Sequence, residues 1–218
     1  MRRAILFDLD GTLTESGEGI MKSVQYALEK MGRPEPDLQK LRVFVGPPLP
    51  EQFMRYSGMS REEAAKAVSY YRERYSAVGI FENRPYPGIP EMLETLKENG
   101  FLLAVASSKP EKFVLQVLEY FHMDSYFDEM TGSEMDGRRS KKADVIEEAL
   151  CRLGMGEKKD QVMMVGDKEH DVIGAGEAGI PCVAVAYGYG TAEELEAAKP
   201  FKIVHTVEEL QEYLLSVW

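Results

Sequence analysis

The sequence predicts an α/β fold in which helices flank a parallel sheet and a helical insertion interrupts it. After about residue 84, short apolar runs alternate with helical patterns, which is typical of parallel strands joined by crossover helices. The first apolar run lies at residues 3–8, and the next clear one begins only at residue 101. The residues between these two runs carry helical patterns, so the insertion directly follows the first strand.

The strands are predicted from apolar runs that are too short for helices. The first contains Ala4-Ile5-Leu6-Phe7, and the later ones cover residues 101–106, 161–165, 182–186 and, more weakly, 201–204. Continuous apolar runs are typical of strands that are buried on both faces of a parallel sheet. Helices are predicted at 90–97 and 140–153, because apolar residues recur there at helical spacing and glycines follow.

Three helices are predicted in the insertion, at residues 18–31, 50–56 and 61–78. Thr14-Glu15-Ser16 marks one hinge, and prolines and a glycine between Asn83 and Gly88 mark the other. We therefore expect a core domain of residues 1–14 and 84–218 and an inserted helical domain of residues 15–83.

Composition and charge exclude several classes of protein. The chain has 218 residues and a net charge of −11, which opposes binding to nucleic acid and to anionic membranes. The first apolar run is too short for a signal sequence, and no segment has eighteen consecutive apolar residues. We expect a cytoplasmic protein without nucleic-acid or membrane partners, a monomer or a weak dimer, with Cys151 and Cys182 buried and reduced.

Two carboxylates follow the first strand. Because side chains alternate along a strand, Asp8 and Asp10 are expected to project into the same crevice at its carboxyl end. One carboxylate could attack an electrophile while the other handles a proton. Gly11 lets the backbone turn closely around an anion, and Thr12 adds a hydroxyl. The alternative is an Asp-Gly turn with solvated acids.

More polar residues follow the later strands or begin a helix beside them. They are Ser107-Ser108-Lys109, Lys142, and the pair Asp167 and Asp171. Each has an ordinary explanation alone, as a helix cap or a solvated charge. Their joint position at the carboxyl edge of one parallel sheet favours a single site.

The acidic residues of this site predict a bound metal ion. Two unit charges 4 Å apart repel by roughly 4 kcal/mol at an effective dielectric of about 20. A cluster of Asp8, Asp10, Asp167 and Asp171 would therefore take up protons or bind a cation. Oxygen ligands without cysteine favour Mg²⁺ over zinc.

These residues resemble the four motifs of the haloacid dehalogenase superfamily of phosphatases with a helical cap. The first motif is Asp8-Leu9-Asp10-Gly11-Thr12, the second is Ser107, the third is Lys142, and the fourth is the segment 166–171. The chain is similar to the phosphoglycolate phosphatase-like and 5′-nucleotidase-like members. The resemblance implies a Rossmann-like parallel sheet core with an inserted α-helical cap domain.

The resemblance also implies roles for these residues. Asp8 would form an aspartyl-phosphate, and Asp10 would serve as general acid and base. Mg²⁺ would be held by Asp8, the backbone carbonyl of Asp10, and Asp167, with Asp171 as a further ligand or outer acid. The phosphate-binding residues would be Asp8, Gly11, Thr12, Ser107, Ser108 and Lys142, of which Thr12, Ser107 and Lys142 would also act in catalysis.

Some assignments within the resemblance stay open. Lys141 is the alternative to Lys142, which is preferred because Lys-Ala-Asp-Val-Ile aligns better with the family pattern. The substrate would be a small phosphorylated metabolite, phosphoglycolate-like or a nucleoside 5′-monophosphate. Its leaving group would be recognised by Gly46 and Pro47 of the cap and by Lys109. A helix-terminating turn is the equal alternative for the loop of Gly46 and Pro47, and a surface charge is the preferred alternative for Lys109.

Two other functions compete with the hydrolase. A phosphomutase of the β-phosphoglucomutase type would use the same aspartates and return the phosphoryl group to a sugar. A non-catalytic phosphate-binding module would not need both Asp8 and Asp10. Dehalogenation is disfavoured, because dehalogenases of the superfamily lack an acid at the position of Asp10.

Overall fold

The chain forms two compact units in the computed structural model, which describes residues 3–217. One unit comprises the chain up to Thr14 and from Pro85 onward, and the other is Glu15–Arg84. The α-helices are α1 (Gly17–Lys30), α2 (Leu49–Ser57), α3 (Arg61–Ala77), α4 (Ile89–Glu98), α5 (Glu111–Tyr120), α6 (Lys142–Leu153), α7 (Glu169–Glu177), α8 (Ala192–Ala198) and α9 (Val207–Ser216).

The larger unit is built on a six-stranded parallel sheet. Its strands are β1 (Ala4–Phe7), β2 (Leu102–Pro110), β3 (Glu129–Ser133), β4 (Val162–Gly166), β5 (Cys182–Val185) and β6 (Lys202–Val204). The spatial order is β3-β2-β1-β4-β5-β6, so the chain reverses direction across the sheet at β1. The predicted α/β fold with a parallel sheet is confirmed.

The central strand β1 sets the position of the candidate site. Phe7 at its end pairs with Val105 of β2 and with Val165 of β4. The residues that follow these three positions therefore lie at the same edge of the sheet. In an open α/β sheet, the crevice outside this edge, where the strand order reverses, is the usual ligand site.

The strand β3 was absent from the sequence prediction. Its sequence, Glu129-Met-Thr-Gly-Ser133, has no apolar run, and β3 is an edge strand of the sheet that pairs with β2. The strand β2 also continues past the predicted end at residue 106, with an irregular register between Ala106 and Pro110. Polar residues fill that extension, so hydrophobicity could not reveal it.

An apolar layer under one face of the sheet holds α6 and α7 in place. Val145, Ile146 and Ala149 of α6 and Ala175 of α7 are fully buried in one cluster with Leu6 of β1. This packing brings the beginning of each helix to the carboxyl edge of the sheet.

The two cysteines differ in exposure. Cys182 on β5 is buried, and burial raises the pKa of its thiol well above the ordinary value. Cys151 is exposed, so the prediction that both cysteines are buried is wrong for this one. It follows the buried Leu150 on α6, and a step of one residue around a helix is enough to reach the solvent face.

The smaller unit contains α1, α2 and α3. Glu82 joins α1 and α3 by accepting from Arg74 at 2.7 Å and from Lys22 at 3.0 Å. Gly46 and Pro47 lie half-buried between a 3₁₀ helix, Leu38–Phe44, and α2. Gly46 has a φ of 102°, a conformation that favours glycine.

None of the helices in residues 3–217 combines the length and the apolar character needed to cross a bilayer.

Two glycines of α7 provide a matched test of how closely α6 and α7 pack. A Cβ atom at Gly174 would lie 2.6 Å from Lys142 Cβ and 3.0 Å from the Ala143 nitrogen, whereas one at Gly176 would meet nothing within 4 Å. We expect Gly174→Ala to lower the free energy of unfolding by roughly 1–3 kcal/mol through overpacking. Gly176→Ala should raise it by about 0.5–1 kcal/mol, as alanine does in an exposed helix interior.

Urea unfolding of the two variants beside the wild type measures both changes. Equal effects at the two positions would contradict the close approach of α7 to Lys142.

Candidate active site

The chain turns sharply just after β1. The Asp8 backbone N–H donates to the Val165 carbonyl at 2.9 Å, which continues the pairing of β1 with β4 by one residue. The Gly11 N–H then donates to the Thr14 carbonyl at 2.8 Å. Gly11 has a φ of 90°, and a Cβ atom there would collide with the Asp167 carboxylate. This position therefore requires glycine on two grounds.

Lys142 is the central cation of the site. It is the first residue of α6, and its side chain is only 5% exposed. Its Nζ lies 2.9 Å from Asp8 Oδ1 and 2.8 Å from Asp171 Oδ1, and it donates to the Ala106 carbonyl at 3.0 Å. Burial lowers the pKa of Lys142, but Asp171 and Asp8 outweigh burial and leave it above the ordinary value. The neighbouring Lys141 is exposed.

Asp167 and Asp171 are held from several directions. Asp167 follows β4 and is fully buried; its Oδ2 accepts from the Tyr189 N–H at 2.7 Å and its Oδ1 from the Thr12 hydroxyl at 3.4 Å. Asp171 lies in the first turn of α7, and its Oδ2 accepts from the Lys168 N–H at 3.0 Å. The Thr12 hydroxyl thus contacts a carboxylate within the protein.

The three buried aspartates Asp8, Asp167 and Asp171 could hold a metal ion. One carboxylate oxygen from each lies within 4.8 Å of those of the other two. Burial, and then the charges of Asp171 and Asp8, raise the pKa of Asp167 well above its usual value. Burial also raises the pKa of Asp171, although Lys142 partly offsets it. Because the ligands are hard oxygens that repel one another, the group suits Mg²⁺.

Asp10 stands apart from this cluster and is paired with a second buried lysine. Lys109 Nζ lies 2.6 Å from Asp10 Oδ2, and the two side chains are 6% and 9% exposed. Lys109 is therefore not a surface charge, and that alternative is wrong. The sequence prediction ended β2 at residue 106, whereas the strand continues to Pro110. Lys109 is therefore the second-to-last residue of a strand within the sheet.

The two serines lie on the extended end of β2. Ser107 is 2% exposed, and its hydroxyl accepts from the Lys109 N–H at 3.3 Å. Ser108 is half-buried. The structure thus brings residues of the predicted first, second, third and fourth motifs to one edge of the sheet.

The segment Tyr187-Gly188-Tyr189-Gly190 completes the site, and its role was not predicted. The Tyr187 hydroxyl donates to the Thr12 carbonyl at 3.0 Å, and burial raises its pKa above the ordinary value. A Cβ atom at Gly188 would collide with Asp167 and with the Gly11 carbonyl. The available signal was the pair of glycines that follows the β5 run, which marks a close backbone approach.

Comparison with known proteins identifies relatives over most of the chain. Residues 5–185 match the family model described as haloacid dehalogenase-like hydrolase. A 5′-nucleotidase of Pseudomonas aeruginosa is 45% identical over 90% of this chain and 88% of its own. Tyrosine-protein kinase PtkA of Mycobacterium tuberculosis is 39% identical over 96% of this chain and 72% of its own. The crystal structure of a predicted phosphatase from Clostridium acetobutylicum superposes with a TM-score of 0.95, at 47% identity over 99% of each chain.

The raised pKa values of Asp167 and Asp171 predict how pH and Mg²⁺ act on stability. The folded, metal-free protein retains protons that the unfolded chain releases, so its stability should fall as pH rises above the ordinary carboxylate range. A metal ion binds the deprotonated carboxylates, so stabilisation by Mg²⁺ should grow with pH. At a hundredfold excess over Kd, it should approach about 2.7 kcal/mol, or roughly 5–10 °C in Tm.

Thermal melting with and without Mg²⁺, in mildly acidic and mildly alkaline buffer, measures this effect. Asp167→Asn should abolish the Mg²⁺ response, while Asp160→Asn, at an exposed position, should retain it. A response that is independent of pH, or that survives Asp167→Asn, would argue against metal binding by this cluster.

Proposed function

The chain belongs to the haloacid dehalogenase-like hydrolase family, and we propose that it hydrolyses small phosphate monoesters through an aspartyl-phosphate on Asp8, with Mg²⁺ as cofactor. One observation carries the proposal. The carboxylate of Asp8 lies against the buried ammonium of Lys142, beside Asp167 and Asp171 and two residues before Asp10. A nucleophile, a fixed positive charge and a potential proton carrier thus belong to one sheet edge.

Asp8 and Asp10 would divide the covalent chemistry in two steps. In the first step, an Asp8 oxygen attacks phosphorus, the ester P–O bond breaks, and the departing alkoxide takes a proton from Asp10. In the second step, Asp10 takes a proton from water, the water oxygen attacks phosphorus, and the Asp8–phosphorus bond breaks. Inorganic phosphate leaves, and both carboxyl groups return to their initial states.

Lys142 would neutralise charge while these steps proceed. Its ammonium is fixed by three oxygen partners, so it needs no reorganisation as negative charge develops on the phosphoryl oxygens. Ser107, Ser108, Thr12 and the backbone at Gly11 are the further phosphate-binding groups of this proposal.

The proposed ligands of Mg²⁺ are Asp8, the backbone carbonyl of Asp10, and Asp167, with Asp171 as a further ligand or outer acid. When bound, Mg²⁺ would neutralise phosphate charge and orient the phosphoryl group toward Asp8. The close carboxylate oxygens and the raised pKa of Asp167 support this assignment.

The proposed substrate is a small phosphorylated metabolite of the cytoplasm, a nucleoside 5′-monophosphate or a phosphoglycolate-like ester. The relative named 5′-nucleotidase, at 45% identity, supports the nucleotide. Residues 15–83 would form a specificity cap in which Gly46 and Pro47 recognise the leaving group.

Removal of the nucleophile should abolish the reaction. We expect Asp8→Asn to lower phosphate release at least about a thousandfold, because an amide cannot form the acyl phosphate. Release of inorganic phosphate is measured with Mg²⁺ and with EDTA from nucleoside 5′-monophosphates, phosphoglycolate, sugar phosphates and para-nitrophenyl phosphate. Asp160→Asn serves as the matched control, and activity that persists in EDTA would count against the metal.

A variant of the acid and base should separate the two steps. Asp10→Asn should still be phosphorylated by para-nitrophenyl phosphate, because that leaving group departs without a proton, but it should hydrolyse the intermediate about a hundredfold or more slowly. Mass spectrometry after an acid quench should show one added phosphoryl group, absent from Asp8→Asn,Asp10→Asn. Failure to trap it with Asp10→Asn would weaken the case for a covalent route.

The same assays address the competing functions. A phosphomutase would phosphorylate Asp8 and return the group to an added sugar phosphate with little inorganic phosphate. A non-catalytic module would bind phosphate without turnover. One relative is named tyrosine-protein kinase. A further assay therefore supplies ATP and a tyrosine-containing protein and measures phosphotyrosine.

A further inference from the structure

Lys109 and Asp10 form a buried ion pair that the proposed reaction leaves unexplained. Asp10 follows β1 and Lys109 lies near the end of β2, and these two strands are neighbours in the sheet. The Lys109 ammonium approaches Asp10 Oδ2 to 2.6 Å, and both side chains are less than one tenth exposed. A buried charge is retained only where it is paired, so this contact fixes the Asp10 side chain.

The two oxygens of Asp10 lie in different surroundings. Oδ2 accepts from Lys109, while Oδ1 is buried and has no hydrogen-bond partner among residues 3–217. A buried carboxylate oxygen without a partner is unfavourable for folding alone. It is the oxygen that can carry a proton to or from a substrate, because the other is engaged by the ammonium.

The backbone of Lys109 is itself held in place. Its N–H donates to the Ser107 hydroxyl at 3.3 Å. On the neighbouring strand β3, a Cβ atom at Gly132 would lie 2.6 Å from the Lys109 carbonyl oxygen, so the two backbones are in close contact. Lys109 therefore starts from a fixed point on β2.

We propose that Lys109 is a positioning residue for Asp10: its ammonium holds Oδ2, so that Oδ1 performs the proton transfers. This inference rests on the proposed phosphatase function. It assigns Lys109 to the acid and base, not to an anionic group of the substrate. Loss of the ammonium would leave Asp10 present but free to rotate, so proton transfer would weaken while substrate binding and the attack by Asp8 persist.

The dependence on the leaving group tests this role. The ratio kcat/KM covers the steps up to release of the alcohol, where Asp10 acts as an acid. The unactivated alkyl phosphate is whichever of the nucleotide and phosphoglycolate the wild type hydrolyses faster. We expect Lys109→Met to lower kcat/KM for this substrate about ten- to a hundredfold. For para-nitrophenyl phosphate, which needs no proton, the change should stay within about threefold.

Three further variants sharpen the experiment. Lys112→Met, at an exposed position on α5, is the matched control and should leave both substrates unaffected. In an Asp10→Asn background, Lys109→Met should cause no additional loss with the alkyl phosphate, because the two residues act as one unit. Lys109→Gln replaces Lys109→Met if thermal melting shows that the latter does not fold.

The possible outcomes separate the two proposals. A selective loss with the alkyl phosphate supports positioning by Lys109. Positioning by Lys109 is overturned if Lys109→Met lowers kcat/KM equally for both substrates or leaves kcat/KM unchanged for both. It is also overturned if the losses caused by Lys109→Met and Asp10→Asn are additive with the alkyl phosphate. Each of these results leaves the phosphatase function intact. A wild type that releases phosphate from neither ester overturns the phosphatase function itself.

Discussion

The contact of the Lys142 ammonium with Asp8 and Asp171 is the interaction on which the rest of the site depends. Lys142 also donates to the Ala106 carbonyl, so one cation joins β1, β2, α6 and α7. A buried ammonium with any of these partners missing would be costly. The requirement works in both directions, because the aspartates need a nearby cation as much as the lysine needs anions. Correct placement of the sheet and the two helices is therefore a condition for a stable core and for a charged site alike.

The beginning of α6 is fixed by a second set of charges just before Lys142. Arg139 donates to the Gly132 carbonyl at 3.0 Å and forms ion pairs with Glu111 and Glu148 at 3.2 and 3.4 Å. These partners belong to β3, α5 and α6. Although Arg139 adopts a φ of 53°, which is unusual for a residue with a side chain, its several partners hold it there. The edge strand β3 thus serves the site indirectly, by anchoring the segment that leads to Lys142.

Residues whose roles follow from a local pattern could be predicted, and residues whose roles follow from tertiary contacts could not. The apolar run before Asp8 and the glycine after Asp10 placed both acids at a strand end, and the parallel sheet is confirmed. The strand β3 has no apolar run and escaped detection. The pairing of Lys109 with Asp10 joins residues 99 positions apart, and no periodicity reports such a contact. Tyr189 donates its backbone N–H to Asp167, a group that every residue type except proline supplies.

Each of the two acids on either side of Leu9, Asp8 and Asp10, is paired with its own lysine. Lys142 contacts Asp8, and Lys109 contacts Asp10. The chain as a whole carries a charge of −11, so its overall field repels a phosphate ester. Attraction must therefore act over a few ångströms, within a buried site where screening by salt is weak. Placing both lysines in the interior gives strong local fields without an exposed basic patch, which would also attract polyanions that are not substrates.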